Sequence, residues 1–251
     1  MRNPSRAVAL AVFTAATACV SHVRSADIAD IAVTTPPSED PVFADQRVLL
    51  RRFSDARPEE FSRNLPGGGF FHGGSRHEYS PTYVDEGKQG AKVVYHGSLP
   101  HALPYLLARS LPGDNVRVAD ALPDAGATAH WDYVVEGRLL RTRDTFRGGV
   151  AWIYLAPLGT PTGIRRYEMA YELSVFAADD PHHPIVTRRY DFDEKAKMGL
   201  YWSAKRAQLL PLHGLQTLVA RSAEDLVAEV AKHQARRWTS PTPGEPVIEP
   251  S

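Results

Sequence analysis

The sequence of 251 residues contains one cysteine, Cys19, so no disulfide can form within the chain. Neither sign of charge is in excess, because 29 basic residues face 29 acidic ones. This balance argues against a nucleic acid partner, which would attract a basic domain. The uncharged apolar run from Ala7 to Ala18 is shorter than the roughly 20 residues of a membrane-spanning helix. We therefore expect a domain that folds outside the membrane and does not bind nucleic acid.

Motifs that indicate catalysis are also missing. The segment Phe71–Ser75 contains the His-Gly-Gly pattern of the oxyanion hole in lipase-like hydrolases. The Gly-x-Ser-x-Gly motif that carries their nucleophile is absent, and no Gly-Lys-Ser/Thr follows the glycines of residues 67–74 as a phosphate loop requires. We expect a protein that is not an enzyme, with no catalytic residue and no cofactor.

The region 65–101 is rich in histidine, and its ligand types suit zinc. The candidate ligands are His72, His77, Glu78, His96 and His101. Their spacing lacks the compact His-Glu-x-x-His pattern, so we interpret them as polar loop residues and expect no metal. The alternative that stays open is a secreted enzyme or metal-binding protein that uses this region.

The N-terminus has the features of a secretory signal peptide over residues 1–18: Arg2 and Arg6, a short apolar core and small residues before Cys19. Ala16-Thr17-Ala18-Cys19 resembles the lipobox of bacterial lipoproteins, although the family usually has Leu where Ala16 stands. The resemblance implies that Cys19 becomes the lipidated first residue of the mature chain. Val20, rather than Asp, implies sorting to the outer membrane, facing the periplasm. The alternative is cleavage after Ala18 or Ala26, with Cys19 incidental.

The rest of the chain divides by composition. Residues 19–44 have few large apolar side chains and three prolines, which predicts a lipidated flexible tether. Residues 45–238 have the length of a single domain. Residues 239–251 contain four prolines and are predicted to be a disordered tail.

The stretch 132–192 predicts three strands of one sheet. The clearest signal is the alternation of apolar and polar residues from Tyr167 to Val175, whose period of two is typical of a half-buried strand. Asp132–Thr142 repeats the pattern less cleanly. Ile185–Phe192 follows after the turn-rich segment 178–184. An antiparallel sheet with one apolar face needs helices to cover that face.

Two helices are predicted to provide this cover. Ser98 is a suitable cap for a helix that ends near Leu111, and Pro104 suggests that the regular helix begins only near that residue. A second helix, starting at Ser203 or Leu215, reaches about His233. Short strands are predicted at 46–53, 91–95 and 115–119, with a long glycine-rich loop at 65–90. The fold class is therefore α+β: a mainly antiparallel sheet with two principal helices packed on one face.

This order of elements, together with Phe53-Ser-Asp-Ala-Arg-Pro58 and the lipobox, resembles a group of Gram-negative envelope proteins. The group includes the YajG-like lipoproteins, the amino-terminal domain of TolB and the curli-secretion lipoprotein CsgG. The resemblance implies a periplasmic scaffold or assembly role and supplies no catalytic residues.

The connection between the first two predicted strands of the sheet, residues 148–159, is long, uncharged and aromatic. It is either an additional piece of the core or an exposed apolar patch for a protein or lipid partner. We identify Trp152, Ile153, Tyr154 and Leu155 as the candidate interaction surface.

These observations predict a lipoprotein that is held on the membrane by an acyl chain such as palmitate on Cys19. It is expected to bind as a scaffold in cell-envelope assembly, maintenance or transport. Its expected partners are the membrane, through the anchor, and an envelope protein or a second copy of itself.

Overall fold

The computed structural model describes residues 23–33, 45–58, 75–78, 83–86, 92–119, 131–148, 156–159 and 161–239. In chain order the elements are the strands β1 (Val23–Asp27), β2 (Val48–Arg51), β3 (Ser54–Asp55), β4 (Ser75–Glu78), β5 (Tyr83–Glu86) and β6 (Lys92–His96), the helix α1 (Leu99–Ser110), the strands β7 (Val116–Ala119), β8 (Tyr133–Gly148), β9 (Gly163–Ala177) and β10 (Asp180–Met198), and the helix α2 (Ala204–Thr239).

The strands form one large and one small sheet. In the large sheet the order is β10-β9-β8-β2-β7, with β3 and β4 also paired to β8. The strands β8, β9 and β10 pair antiparallel in sequence order, while β2 runs parallel to both β7 and β8. The small sheet has the order β1-β6-β5. The predicted α+β fold with a mainly antiparallel sheet is confirmed.

The alternation in β9 places its apolar set under the helices. The side chains on this face are all nearly inaccessible: Tyr167, Met169, Tyr171, Leu173 and Val175. Tyr171 donates to the carbonyl of Leu218 in α2 over 2.9 Å, and its hydroxyl lies 2.7 Å from that of Ser222. A buried hydroxyl needs such partners, so the tyrosine fixes the position of α2 on the sheet.

A β-bulge in β8 explains why its pattern is less regular. The register against β9 shifts between Leu139 and Arg141. Before the shift, odd-numbered residues such as Val135 and Leu139 are buried in the core; after it, the even-numbered Thr142 and Asp144 take that place, while Thr145 is covered on the other face. One extra residue in a strand moves every later side chain to the opposite face. The second half of β8 therefore turns even-numbered polar residues toward the helices.

Helix α1 begins earlier than its sequence predicts. It starts at Leu99, after Ser98, and Pro104 lies inside it. Proline has no N–H, so the carbonyl of Pro100 loses the donor that residue 104 normally supplies. The backbone N–H of Phe53 donates to that carbonyl over 3.3 Å. The prediction that Pro104 delays the helix is wrong because a neighbouring segment supplies the missing hydrogen bond.

Helix α2 is the longest helix of the described chain. It begins at Ala204, which favours the earlier of the two predicted starts, and continues past His233 to Thr239. The rest of the predicted tail, residues 240–251, lies outside the described residues. In the part of the chain that the structure covers, neither helix is long and apolar enough to cross a membrane.

Two segments predicted to be irregular belong to the fold. Within the predicted tether, Val23–Asp27 pairs with β6 as a parallel strand, and Ile28 and Ile31 are buried in the core. The tether prediction is therefore wrong for residues 23–33. The predicted loop 65–90 contains β4 and β5, and Tyr83 of β5 is buried. Sheet pairing with distant residues orders both segments despite their weak local patterns.

The turn between β9 and β10 is also shorter than predicted. Strand β10 begins at Asp180, so His182 and His183 lie on the strand rather than in a turn. The pairing with β9 is irregular between Asp180 and Val186. The two prolines of this stretch cannot donate to a ladder, which explains the irregularity.

We predict that Tyr171→Asp destabilises the domain by about 4 kcal/mol or more, because it buries an unpaired charge and removes a packed ring. The control is Glu172→Lys, one residue along on the opposite face, where Glu172 is partly exposed and lies 3.7 Å from Arg138. Losing that exposed pair should cost about 1 kcal/mol or less. Equal shifts in thermal melts of the two variants would contradict this register.

Candidate functional site

A buried ion pair lies on the helix-covered face of the sheet. Asp144 of β8 is 4% exposed, and Arg165 of β9 binds it through two nitrogen atoms. Nε of Arg165 donates to Oδ1 of Asp144 over 2.9 Å. A buried carboxylate requires such a partner, because leaving it unpaired would cost several kcal/mol.

The same arginine also holds the first turns of α2. Nη1 of Arg165 donates to the carbonyls of Ala207 and Gln208 over 3.0 and 3.2 Å. Residue 211 would normally donate to Ala207, but Pro211 has no N–H. Arg165 therefore supplies the donor that the helix lacks and joins α2 to the sheet.

Two tyrosine hydroxyls extend this polar cluster. The hydroxyl oxygens of Tyr83 and Tyr167 lie 2.9 Å apart, and the Tyr167 hydroxyl also donates to Sδ of Met169 over 3.4 Å. Burial raises the pKa of both tyrosines, so both remain protonated at neutral pH. The groups of this cluster bind one another and the helix, so we interpret the cluster as a structural joint.

The opposite face of the sheet carries a groove of about 160 Å³. Three adjacent strands contribute its lining residues: Arg143, Thr145 and Arg147 from β8, Ile164 and Arg166 from β9, and Lys195 from β10. The bulge in β8 places these odd-numbered residues on the open face, where they stand beside Ile164 and Arg166. Four of the six lining residues are basic, which is the chemistry that binds anions.

Acidic neighbours neutralise only part of this charge. Arg166 binds Asp193, with Nε donating to Oδ1 over 2.7 Å, and it also binds Glu168 at 2.8 Å. The hydrogen bond from Arg166 lowers the pKa of Asp193, so this carboxylate is ionised. Arg147 and Lys195 form no salt bridge with any residue in the described ranges. The groove therefore keeps a positive excess.

A second cavity, of about 370 Å³, lies near the carboxyl end of β9 and is lined by residues such as Trp131 and Gln234. Its charges are balanced within it. Arg47 pairs with Asp132 at 3.2 Å, and Arg237 pairs with Asp179 at 2.8 Å. Because each arginine of this cavity is neutralised by its own aspartate, the groove on the open face is the stronger candidate for an anionic ligand.

Large apolar side chains are exposed near the amino end of β9. Leu158 is 79% exposed, Leu200 72% and Tyr201 62%. The Tyr201 hydroxyl donates to the carbonyl of Pro157 over 3.5 Å, which joins the segment before β9 to the segment after β10. Exposed apolar residues that lie together are typical of a contact surface.

Most of the site residues predicted from the sequence fall outside the part of the chain that the structure describes. Trp152, Ile153, Tyr154 and Leu155 lie outside the described residues, as do Cys19 and His72. They remain predictions.

The structure separates the remaining histidine candidates into different elements. His77 and Glu78 lie on β4, His96 ends β6 and is exposed, and the ring of His101 in α1 lies 5.2 Å from that of Tyr105. Among the residues with described positions, no three histidine, cysteine or acidic side chains are grouped to hold a metal.

The basic groove is not predicted by the amino-acid sequence. The formal charge of the whole chain is zero, and the groove residues come from three strands whose relative register is set by the bulge. One feature of the sequence does point to the groove: no acidic residue occurs between Asp144 and Glu168. This segment contains the end of β8 and the start of β9.

We predict that Arg165→Met lowers the free energy of unfolding by about 3–5 kcal/mol, because it leaves the Asp144 carboxylate and the Ala207 carbonyl without a hydrogen-bond donor. In a Pro211→Ala background residue 211 regains its N–H, so the same change should cost about 1 kcal/mol less. Urea unfolding of the four proteins measures this coupling.

Arg189→Met is the matched control for that cycle, because its ion pair with Asp191 is half exposed on both sides and losing it should cost about 1 kcal/mol or less. Additive effects of Arg165→Met and Pro211→Ala would contradict the role of Arg165 as the donor that replaces the helix N–H.

Several solved structures resemble this chain at low sequence identity. A Xanthomonas campestris protein, XCC0632 of the family model DUF330, is 12% identical with a TM-score of 0.42, covering 85% of this chain and 98% of its own. The hypothetical protein CT253 from Chlamydia trachomatis is 12% identical with a TM-score of 0.29, covering 74% and 95%. A "putative lipoprotein" from Caulobacter crescentus is 10% identical with a TM-score of 0.27, covering 53% and 96%.

Every one of these TM-scores is below 0.5, so the likenesses carry no conclusion about what this chain does. Neither a protein-family model nor a curated protein matches the chain. The resemblance to YajG-like proteins, CsgG and the amino-terminal domain of TolB remains a prediction from sequence.

Proposed function

We propose that this chain is a lipoprotein of the outer membrane, anchored through Cys19 and facing the periplasm. It acts by binding rather than catalysis, as a scaffold component in envelope assembly, maintenance or transport. The observation that carries the proposal is the lone cysteine, which directly follows small residues after an apolar core. A single unpaired thiol has no disulfide to form within an exported chain.

The start of the fold supports an anchor at this position. Strand β1 begins at Val23, so only three residues separate it from Cys19. An extended chain covers at most about 3.6 Å per residue, so Cys19 lies within about 14 Å of Val23. A lipid on Cys19 would therefore hold the domain directly at the membrane surface.

The partner of this scaffold is an envelope protein or a second copy of the chain. The predicted surface Trp152–Leu155 precedes Leu158, which is exposed. Aromatic side chains at the centre of an interface contribute about 2 kcal/mol or more to binding.

We predict that radiolabelled palmitate enters the wild-type chain and does not enter Cys19→Ser. The variant should also leave the membrane fraction, because several acyl chains hold a protein stably on a bilayer and their loss releases it. Equal labelling of the two proteins would overturn the proposal.

We also predict that Trp152→Ser combined with Tyr154→Ser weakens recovery of the membrane partner, or self-association, by more than tenfold. The melting temperature should be almost unchanged. If the segment belonged to the core, the double change would instead cost several kcal/mol of stability, as loss of a packed tryptophan does, and thermal melts would reveal it.

A further inference from the structure

Two stretches without acidic residues meet at one end of the large sheet. No Asp or Glu occurs between Asp144 and Glu168, or between Glu194 and Glu224. The first stretch includes the end of β8 and the start of β9, and the second includes the end of β10 and the start of α2. The backbone N–H of Thr162 donates to the carbonyl of Met198 over 2.7 Å and joins the two. We name this part of the molecule the basic end.

The basic end exposes both cationic and apolar side chains. Its exposed basic residues are Arg147, Lys195, Lys197, Lys205 and Arg206. Leu158, Leu200 and Tyr201 are exposed at the same end. Nζ of Lys197 lies 5.6 Å from the ring centre of Trp202. Apolar and aromatic groups at the same end as Lys and Arg suit the two layers of an anionic membrane surface: acyl chains below and charged headgroups above.

The direction of β6 shows toward which end of β9 the start of β1 lies. Tyr95 of β6 is the partner of Tyr83, whose hydroxyl contacts Tyr167 of β9. A few residues later, the carbonyl of Pro100 accepts from Phe53.

The ring of Phe53 packs on Tyr171 at 5.8 Å, four residues further along β9 than Tyr167. The chain from β6 into α1 therefore advances in the same direction as β9. Strand β1 is parallel to β6, so Val23 lies toward the amino end of β9, which is the basic end. An acyl chain on Cys19, at most about 14 Å from Val23, would therefore reach a bilayer on this side of the domain.

We propose that the basic end docks on an anionic phospholipid surface. The exposed basic side chains contact lipid phosphates, and Leu158, Leu200 and Tyr201 enter the interfacial layer. This proposal rests on the proposed function in one respect: an anchor at Cys19 would bring the basic end to a bilayer. The contact itself comes from the folded domain and does not require the acyl chain.

The test uses the chain from residue 19 with Cys19→Ser, which retains every residue that the structure describes. Co-sedimentation with vesicles should show binding to phosphatidylglycerol mixed with phosphatidylcholine and little binding to pure phosphatidylcholine. Binding should weaken as salt is added, because salt screens charges at a surface. Lack of binding to the anionic vesicles, or equal binding to both kinds, would overturn the proposal.

Two double variants locate the contact. Arg147→Glu with Lys195→Glu should lower the partition coefficient by at least about thirtyfold, since each basic residue near an anionic surface contributes about fivefold and the two new carboxylates add repulsion. Leu200→Ser with Tyr201→Ser should lower it about tenfold by removing interfacial apolar area. All four residues are exposed, so thermal melts should match the parent chain.

The matched control is Arg221→Glu with Lys232→Glu, which changes the net charge equally on exposed positions of α2, away from the basic end. It should bind like the parent chain. An equal loss in the control would mean that net charge alone drives binding, and the basic end would not be the contact. Because this assay lacks the acyl chain, its outcome is independent of the palmitate result.

Discussion

The structure depends on hydrogen bonds that two helices cannot make for themselves. Each helix contains one proline beyond its first turn, Pro104 or Pro211, and that proline leaves one buried carbonyl without its usual donor. The N–H of Phe53 satisfies Pro100, and the guanidinium of Arg165 satisfies Ala207. Because an unsatisfied buried carbonyl is costly, each helix has one favourable position along the sheet. Apolar packing alone would tolerate small shifts, whereas these directional contacts do not.

One extra residue in β8 gives the sheet two different faces. Beyond the bulge, Asp144 turns inward, where it needs Arg165, while Arg143 and Arg147 turn outward and line the groove. The joint that holds α2 and the cationic open face are therefore consequences of the same register shift. A change that removed the bulge would disturb both.

Local patterns predicted part of this fold well. The alternation in β9 and the helical spacing of α2 come from contacts that each element makes with one large apolar core, so a single segment carries the signal. Strands β1 and β5 could not be predicted, because their order comes from pairing with β6 and from burial of Tyr83, far along the chain. The groove could not be predicted for a related reason: its basic residues come together on one face only when three strands align in the folded sheet. Arg165 likewise serves a carbonyl 42 residues away.

Strand β10 lies at the edge of the large sheet and, among the described strands, pairs only with β9. Its other side presents free backbone groups over much of 19 residues, the kind of edge on which a second chain can add a strand. Pro181 and Pro184 interrupt the row of donors, and charged residues such as Arg188 and Lys197 occupy positions along it. Such residues make addition of a further strand unfavourable, so crowded copies can lie side by side without joining their sheets into an aggregate.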